Sequence, residues 1–168
     1  MAAPESATTG DGERVRKGIQ IHSLLREVLV RDAIDPEAAR IYLGAHPLLR
    51  HWPQAADLAQ GVLRELVERN WHRWPRRTEF ELPGGGKTGG GGRADLILWE
   101  PERQSPTRIH LVDFKLAALF TPAALELHRF QLSAYCEAVA IRYPEVAIEA
   151  WVVGLEGGGW VQVIGIES

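Results

Sequence analysis

Arg108-Ile109-His110-Leu111-Val112-Asp113-Phe114-Lys115 decides how this chain is read. An apolar run delivers an acid and a lysine two residues apart. Period-two alternation on a strand puts Asp113 and Lys115 on one face and Phe114 on the other. Upstream, Gly92-Arg93-Ala94-Asp95-Leu96-Ile97-Leu98-Trp99 reads as a neighbouring strand with one carboxylate near its start. Charges on an apolar central strand are costly unless paired or metal-bound. Asp95, Asp113 and Lys115 therefore read as a functional trio rather than a surface ion pair. The two aspartates offer hard oxygen ligands for Mg²⁺ or Mn²⁺. Lys115 is suited to orient or deprotonate a water, or to neutralise charge building on a phosphate.

Outward from this core, Pro101 to Thr107 is a polar turn between the two strands. Thr121-Pro122 opens a helix over 122–142 that contains His128, Gln131 and Tyr135, and Tyr143-Pro144 ends it. A last pair of strands, 146–153 and 160–166, turns at Gly157-Gly158-Gly159. On the other side, Thr78 to Leu82 alternates as a strand, and Pro83 to Gly92 forms a glycine-dominated hairpin turn. Gly86-Lys87-Thr88 is no phosphate-binding loop. The leading glycine of that pattern falls on Glu81, and Gly89 to Gly92 forbid the helix it requires, so no nucleotide cofactor is expected.

The first half is helical. Ile21, Leu24, Leu25 and Val28 recur at helical spacing over 13–31. Asp35-Pro36-Glu37 is an N-cap followed by Pro at the first helical position, opening a short helix toward Leu43. His46-Pro47 breaks it, and a third helix runs from Gln54 to about Trp71. Met1 to Gly12 reads as a disordered tail and 13–168 as one domain. The expected class is α/β (α+β), a mixed central sheet flanked by helices with an N-terminal helical layer.

The chain has 168 residues and a formal net charge of -3, so no global basic field advertises nucleic acid. A bound metal and a local arginine patch could supply the positive charge such a partner needs. The single Cys136 excludes an internal disulfide, a four-cysteine zinc site and a self-contained iron–sulfur cluster. No apolar run reaches membrane-spanning length and no signal-peptide pattern is present, so a cytoplasmic protein without a membrane partner is expected.

Gly92 with Asp95, then Asp113-Phe114-Lys115, then Gln131-Leu132 with Tyr135, resembles the PD-(D/E)xK nuclease superfamily. It is similar to the RecB-type nuclease domain at the C-terminus of UvrD-like helicase–nucleases such as AddA and RecB. That family carries a Gly-x-x-x-His motif on an early helix, matched here by Gly18 and His22. Alone, His22 would read as a side chain bordering the core; beside the other motifs it reads as a ligand. The resemblance covers nearly all of the chain after the tail and implies a restriction-endonuclease-like fold. It implies that His22, Asp95, Asp113 and the Phe114 carbonyl hold the metal. Asp95, Asp113, Lys115 and Gln131 would be catalytic, and Tyr135 would touch the DNA strand. Glu79 stands where many such domains carry a glutamate, though a surface strand acid reads equally well. Leu116 departs from the usual Thr or small polar residue after the lysine, and 117–121 is more apolar than usual.

Arg73, Arg76 and Arg77 are the expected phosphate contacts, with Trp71 and Trp74 interleaved among them. The implied activity is hydrolysis of DNA phosphodiesters, on single-stranded ends in repair or recombination, with a UvrD-like helicase as a possible partner. The rival reading is a catalytically idle copy of the fold that binds DNA or docks a protein.

Overall fold

The computed structural model describes residues 8–31, 34–82 and 92–165. Four helices, α1 (Thr8–Leu29), α2 (Pro36–Gly44), α3 (Ala55–Glu68) and α4 (Pro122–Arg142), accompany five strands. The strands are β1 (Arg76–Leu82), β2 (Gly92–Glu100), β3 (Arg108–Lys115), β4 (Ala147–Gly154) and β5 (Gly159–Ile164). They form one mixed sheet in the order β1-β2-β3-β4-β5. All neighbours are antiparallel except β3 and β4, which run parallel because the chain crosses over through α4. The architecture is mixed α/β, as expected from the alternating apolar runs.

Local chemistry explains the boundaries. Asp35 caps α2 by accepting from the amides of Glu37 and Ala38, with Pro36 at the first helical position. Thr121 caps α4 through the amide of Ala124, again ahead of a proline. α1 starts at Thr8 rather than Glu13, so residues 8–12, expected in the tail, are helical. The glycine turn at 83–91 and the tail at 1–7 lie outside the described residues. Among the described residues, no helix is long and apolar enough to cross a membrane.

The sheet separates two cores. On one face Leu96, Leu98, Val112 and Phe114 pack with Ile21, Leu24 and Leu25 of α1 and with α3. On the other, Ile97, Trp99, Ile109 and Leu111 pack with Leu132 and Val139 of α4. β3 is buried on both faces from Ile109 to Phe114. A strand with helices on both sides reads as a near-continuous apolar run, so two polar residues inside it, His110 and Asp113, stand out.

The hydroxyl end of the Tyr135 ring, from α4, comes close to the start of β2. A Cβ on Gly92 would sit 2.1 Å from Tyr135 Cε1, so only glycine admits this approach. Gly92→Ala should therefore destabilise the protein by about 1–3 kcal/mol through overpacking. In a Tyr135→Ala background the same change should be neutral or favourable. Equal losses in both backgrounds, measured by urea unfolding, would remove this account of the contact.

Candidate active site

The site forms where β2 and β3 part. Their registered pairs run from Glu100↔Arg108 to Leu96↔Val112 and go no further. Beyond the last pair, the amide of Phe114 donates to Asp95 Oδ2 at 2.8 Å, so a side chain takes the place of a ladder carbonyl. On the other edge of β2, Thr78↔Leu96 and Phe80↔Ala94 are paired while Glu79, opposite Asp95, has φ 48°. Ala94 packs on the α4 side with Ile97 and Trp99, whereas Leu96 packs on the α1 side. Strict alternation therefore slips at Asp95, and such irregularities re-aim side chains.

α1 supplies the facing groups from one stripe, a turn apart. His22 Nε2 meets Asp95 Oδ2 at 3.1 Å, and Arg26 Nη1 donates to Glu79 Oε2 at 2.9 Å. His22 Nδ1 donates to the carbonyl of Gly18 at 2.7 Å. Both ring nitrogens thus face acceptors, which favours the imidazolium. The hydrogen bond to Asp95 outweighs burial and raises the His22 pKa to about 9. Burial pushes Asp95 upward, but His22 and the Phe114 amide overcome it and hold the carboxyl below its ordinary value.

Asp113 is the poorly satisfied member. Lys115 Nζ lies 2.9 Å from its Oδ2, yet off the angle of a hydrogen bond, and this buried oxygen has no hydrogen-bond partner. Burial, with the charge of Asp95 adding to it, outweighs Lys115 and pushes the Asp113 pKa up to about 6.

With Nδ1 held by the Gly18 carbonyl, His22 could offer Nε2 to a cation only after losing the proton it shares with Asp95, and Asp113 could offer a hard carboxylate oxygen now paired with Lys115. The cleft at His22 and Asp95 leaves about 10 Å³, near the space of one water. As they stand, His22 and Asp95 are engaged with each other. Among the described residues, no group of three or more His, Cys, Asp or Glu side chains is disposed to hold a metal.

The remaining expected residues divide. Gln131 Nε2 donates to Tyr135 Oη at 3.2 Å, and this exposed pair borders Gly92, three positions before Asp95. His128, one turn earlier on α4, has a pKa lowered by burial and by the charge of Lys115. Phe114 engages Asp95 through its amide while its ring lies in the α1-side core. The chain over Gly18 is open, since a Cβ there meets nothing within 4 Å. Arg73 and Arg77 are exposed on the surface. Arg76 instead ties elements together: its guanidinium donates to the carbonyls of Leu29 at 2.8 Å, His72 at 3.3 Å and Arg31. Trp71 is buried against His110, with ring centroids 4.3 Å apart, and Trp74 stacks on the same imidazole.

The chain matches no family model and no curated protein.

Two groupings escaped sequence reasoning. His110 lies between Glu100 and Glu149, 3.1 Å and 3.2 Å away, on three successive strands. Burial lowers its pKa despite both acids. Arg26 clamps Glu79, and its place one turn after His22 was the available signal.

The pKa values of Asp113 and His22 are both raised by folding. Each therefore stabilises the metal-free protein most below its unfolded pKa, and that contribution is lost as pH rises through about 6 and about 9 respectively. Asp113→Asn removes the first of these losses. In EDTA it should match wild type at pH 4 and exceed it at pH 8 by an amount on the order of 2 kcal/mol. A marked drop in melting temperature at pH 8 would identify Asp113 as half of a structural ion pair instead.

Proposed function

We propose that this chain is a divalent-metal-dependent deoxyribonuclease of PD-(D/E)xK type with a restriction-endonuclease-like fold. The observation that carries the reading is the meeting of His22, Asp95, Asp113 and Lys115 at the divergence of β2 and β3. These residues come from three elements and are separated by up to 93 positions (115 − 22), yet they form two adjoining ion pairs. The buried Asp113 Oδ2 meets the Lys115 ammonium off the angle of a hydrogen bond, which supports a functional reading of the cluster over a purely structural one.

His22, Asp95 and Asp113 would hold Mg²⁺ or Mn²⁺, with the Phe114 carbonyl beside them. When bound, such a cation stabilises charge on phosphate oxygens and acidifies a water. Lys115 presents three donors from the rim of the site, enough to hold a water and a phosphate oxygen together. Asp113 keeps that ammonium in place before substrate arrives. Gln131 and Tyr135, pinned to each other along the α4 border, contact the nucleic-acid strand. On this reading the substrate is single-stranded DNA at ends exposed in repair or recombination, and a UvrD-like helicase is the partner the resemblance suggests.

Digestion of end-labelled single- and double-stranded DNA tests this directly. Wild type should cut with Mg²⁺ or Mn²⁺ and stop when EDTA is added. Lys115→Ala should lose at least about 100-fold in rate, the lower range for removing a positioned acid–base group. Equal digestion by the variant, or none by wild type with any divalent metal, would end the enzyme reading.

A further inference from the structure

Helix α4 is apolar on two opposite faces. One packs on the sheet through Leu125, Leu132, Ala138 and Val139. On the other, Ala123, Leu127, Phe130, Ala134, Glu137 and Ile141 succeed one another at intervals of four, three, four, three and four residues. That rhythm keeps a single stripe turned toward a partner helix, and only Glu137 departs from its apolar character. Leu127, Phe130 and Ile141 are 67%, 69% and 66% exposed, so the stripe lies open among the described residues. α1 also exposes Val15, Ile19 and Val30, but His22 and Arg26, both engaged at the candidate site, interrupt that row.

The layout of the stripe fits a second copy of α4 running in the opposite direction. Leu127 and Ile141 stand seven positions before and after Ala134. Two copies crossing antiparallel near Ala134 bring Leu127 of each beside Ile141 of the other. Phe130 of each then lies beside the small Ala134 of the other, so bulky side chains fill the space that alanine leaves. Glu137 is exposed and has no ion pair among the described residues. In the antiparallel pair it comes within two residues, about 3 Å along the axis, of Arg129 of the second copy, on the same side of the seam. A parallel pair in register sets Glu137 on Glu137 instead, two carboxylates in one seam. Arg129 Nη1 already meets Glu126 Oε1 of its own helix at 3.3 Å. That contact is exposed and weak, and the guanidinium has further donors for a second carboxylate.

We propose that the outer face of α4 is a homodimer interface, closed by α4 of a second copy packed antiparallel about a two-fold axis near Ala134. Each Glu137 is neutralised by Arg129 of the other copy, and by symmetry the pairing occurs twice. This interface is independent of the nuclease reading. Its 21 residues span about 32 Å, a single helix seam holding one carboxylate per copy, so association is concentration-dependent rather than obligate.

Sedimentation velocity of the full chain over a concentration series reads the association. Wild type should rise from 18.7 kDa toward twice that mass as concentration increases. Leu127→Asp/Phe130→Asp should raise the dimer dissociation constant at least about 100-fold, because the dimer loses four apolar anchors. Ile41→Asp, at an exposed apolar position on α2, should match wild type. Glu137→Arg should weaken the dimer about 10-fold by setting like charges against each other across the seam. Glu137→Arg/Arg129→Glu should restore it to within about 3-fold of wild type. All substitutions are at exposed positions, and circular dichroism melting verifies that each variant is folded. A wild type that stays monomeric at every concentration would assign the stripe to a helix of a different protein and overturn the homodimer. Dimers that survive Leu127→Asp/Phe130→Asp would place the contact elsewhere and overturn it as well. A double reversal no tighter than Glu137→Arg alone would rule out the antiparallel pairing.

Discussion

One oxygen of Asp95 accepts from both the imidazole of His22 and the amide of Phe114. That arrangement ties α1, β2 and β3 together at a single atom. It terminates the β2–β3 ladder, because the amide beyond the last registered pair already has a partner. It also fixes the orientation of the imidazole, whose other nitrogen is held by Gly18. The contact of α1 with the sheet is thereby fixed beside a polar opening, together with the Arg26–Glu79 pair.

Three acid–base pairs surround that atom: Asp95 with His22, Glu79 with Arg26, and Asp113 with Lys115. The charges cancel pairwise, so the fold tolerates two half-buried to buried aspartates side by side without a bound cation. The cancellation is uneven. Asp95 and Glu79 have well-directed partners, whereas Asp113 has a nearby ammonium but no hydrogen bond for its buried oxygen. Proton affinity follows the same inequality, with Asp95 held below and Asp113 held above the ordinary carboxylate range. Two neighbouring acids driven apart in this way support the reading of the cluster proposed above.

Much of this was legible in the chain. Apolar runs bounded by Pro and Gly marked each strand to within about two positions, because buried strands leave little room for compositional noise. Asp35-Pro36 and Thr121-Pro122 marked helix starts through capping chemistry that is purely local. Asp113 and Lys115 could be placed on one face by alternation alone. Other features were illegible because they depend on tertiary geometry. The slip at Asp95 reflects the left-handed backbone of Glu79 on another strand. Arg76 looked like a free cation, and only the fold reveals that the end of α1 delivers carbonyls to it. Arg31 and Arg73, far apart in sequence, share one depression because β1 returns alongside α1.

The central claim is that His22, Asp95 and Asp113 release their present partners to share a cation. Diffraction from crystals soaked in Mn²⁺, with anomalous differences collected at the manganese edge, tests it most directly. The account predicts one strong peak within bonding reach of His22 Nε2 and both aspartate carboxylates, with the His22–Asp95 hydrogen bond broken. Manganese bound elsewhere, with that hydrogen bond intact at the divergence of β2 and β3, would contradict it.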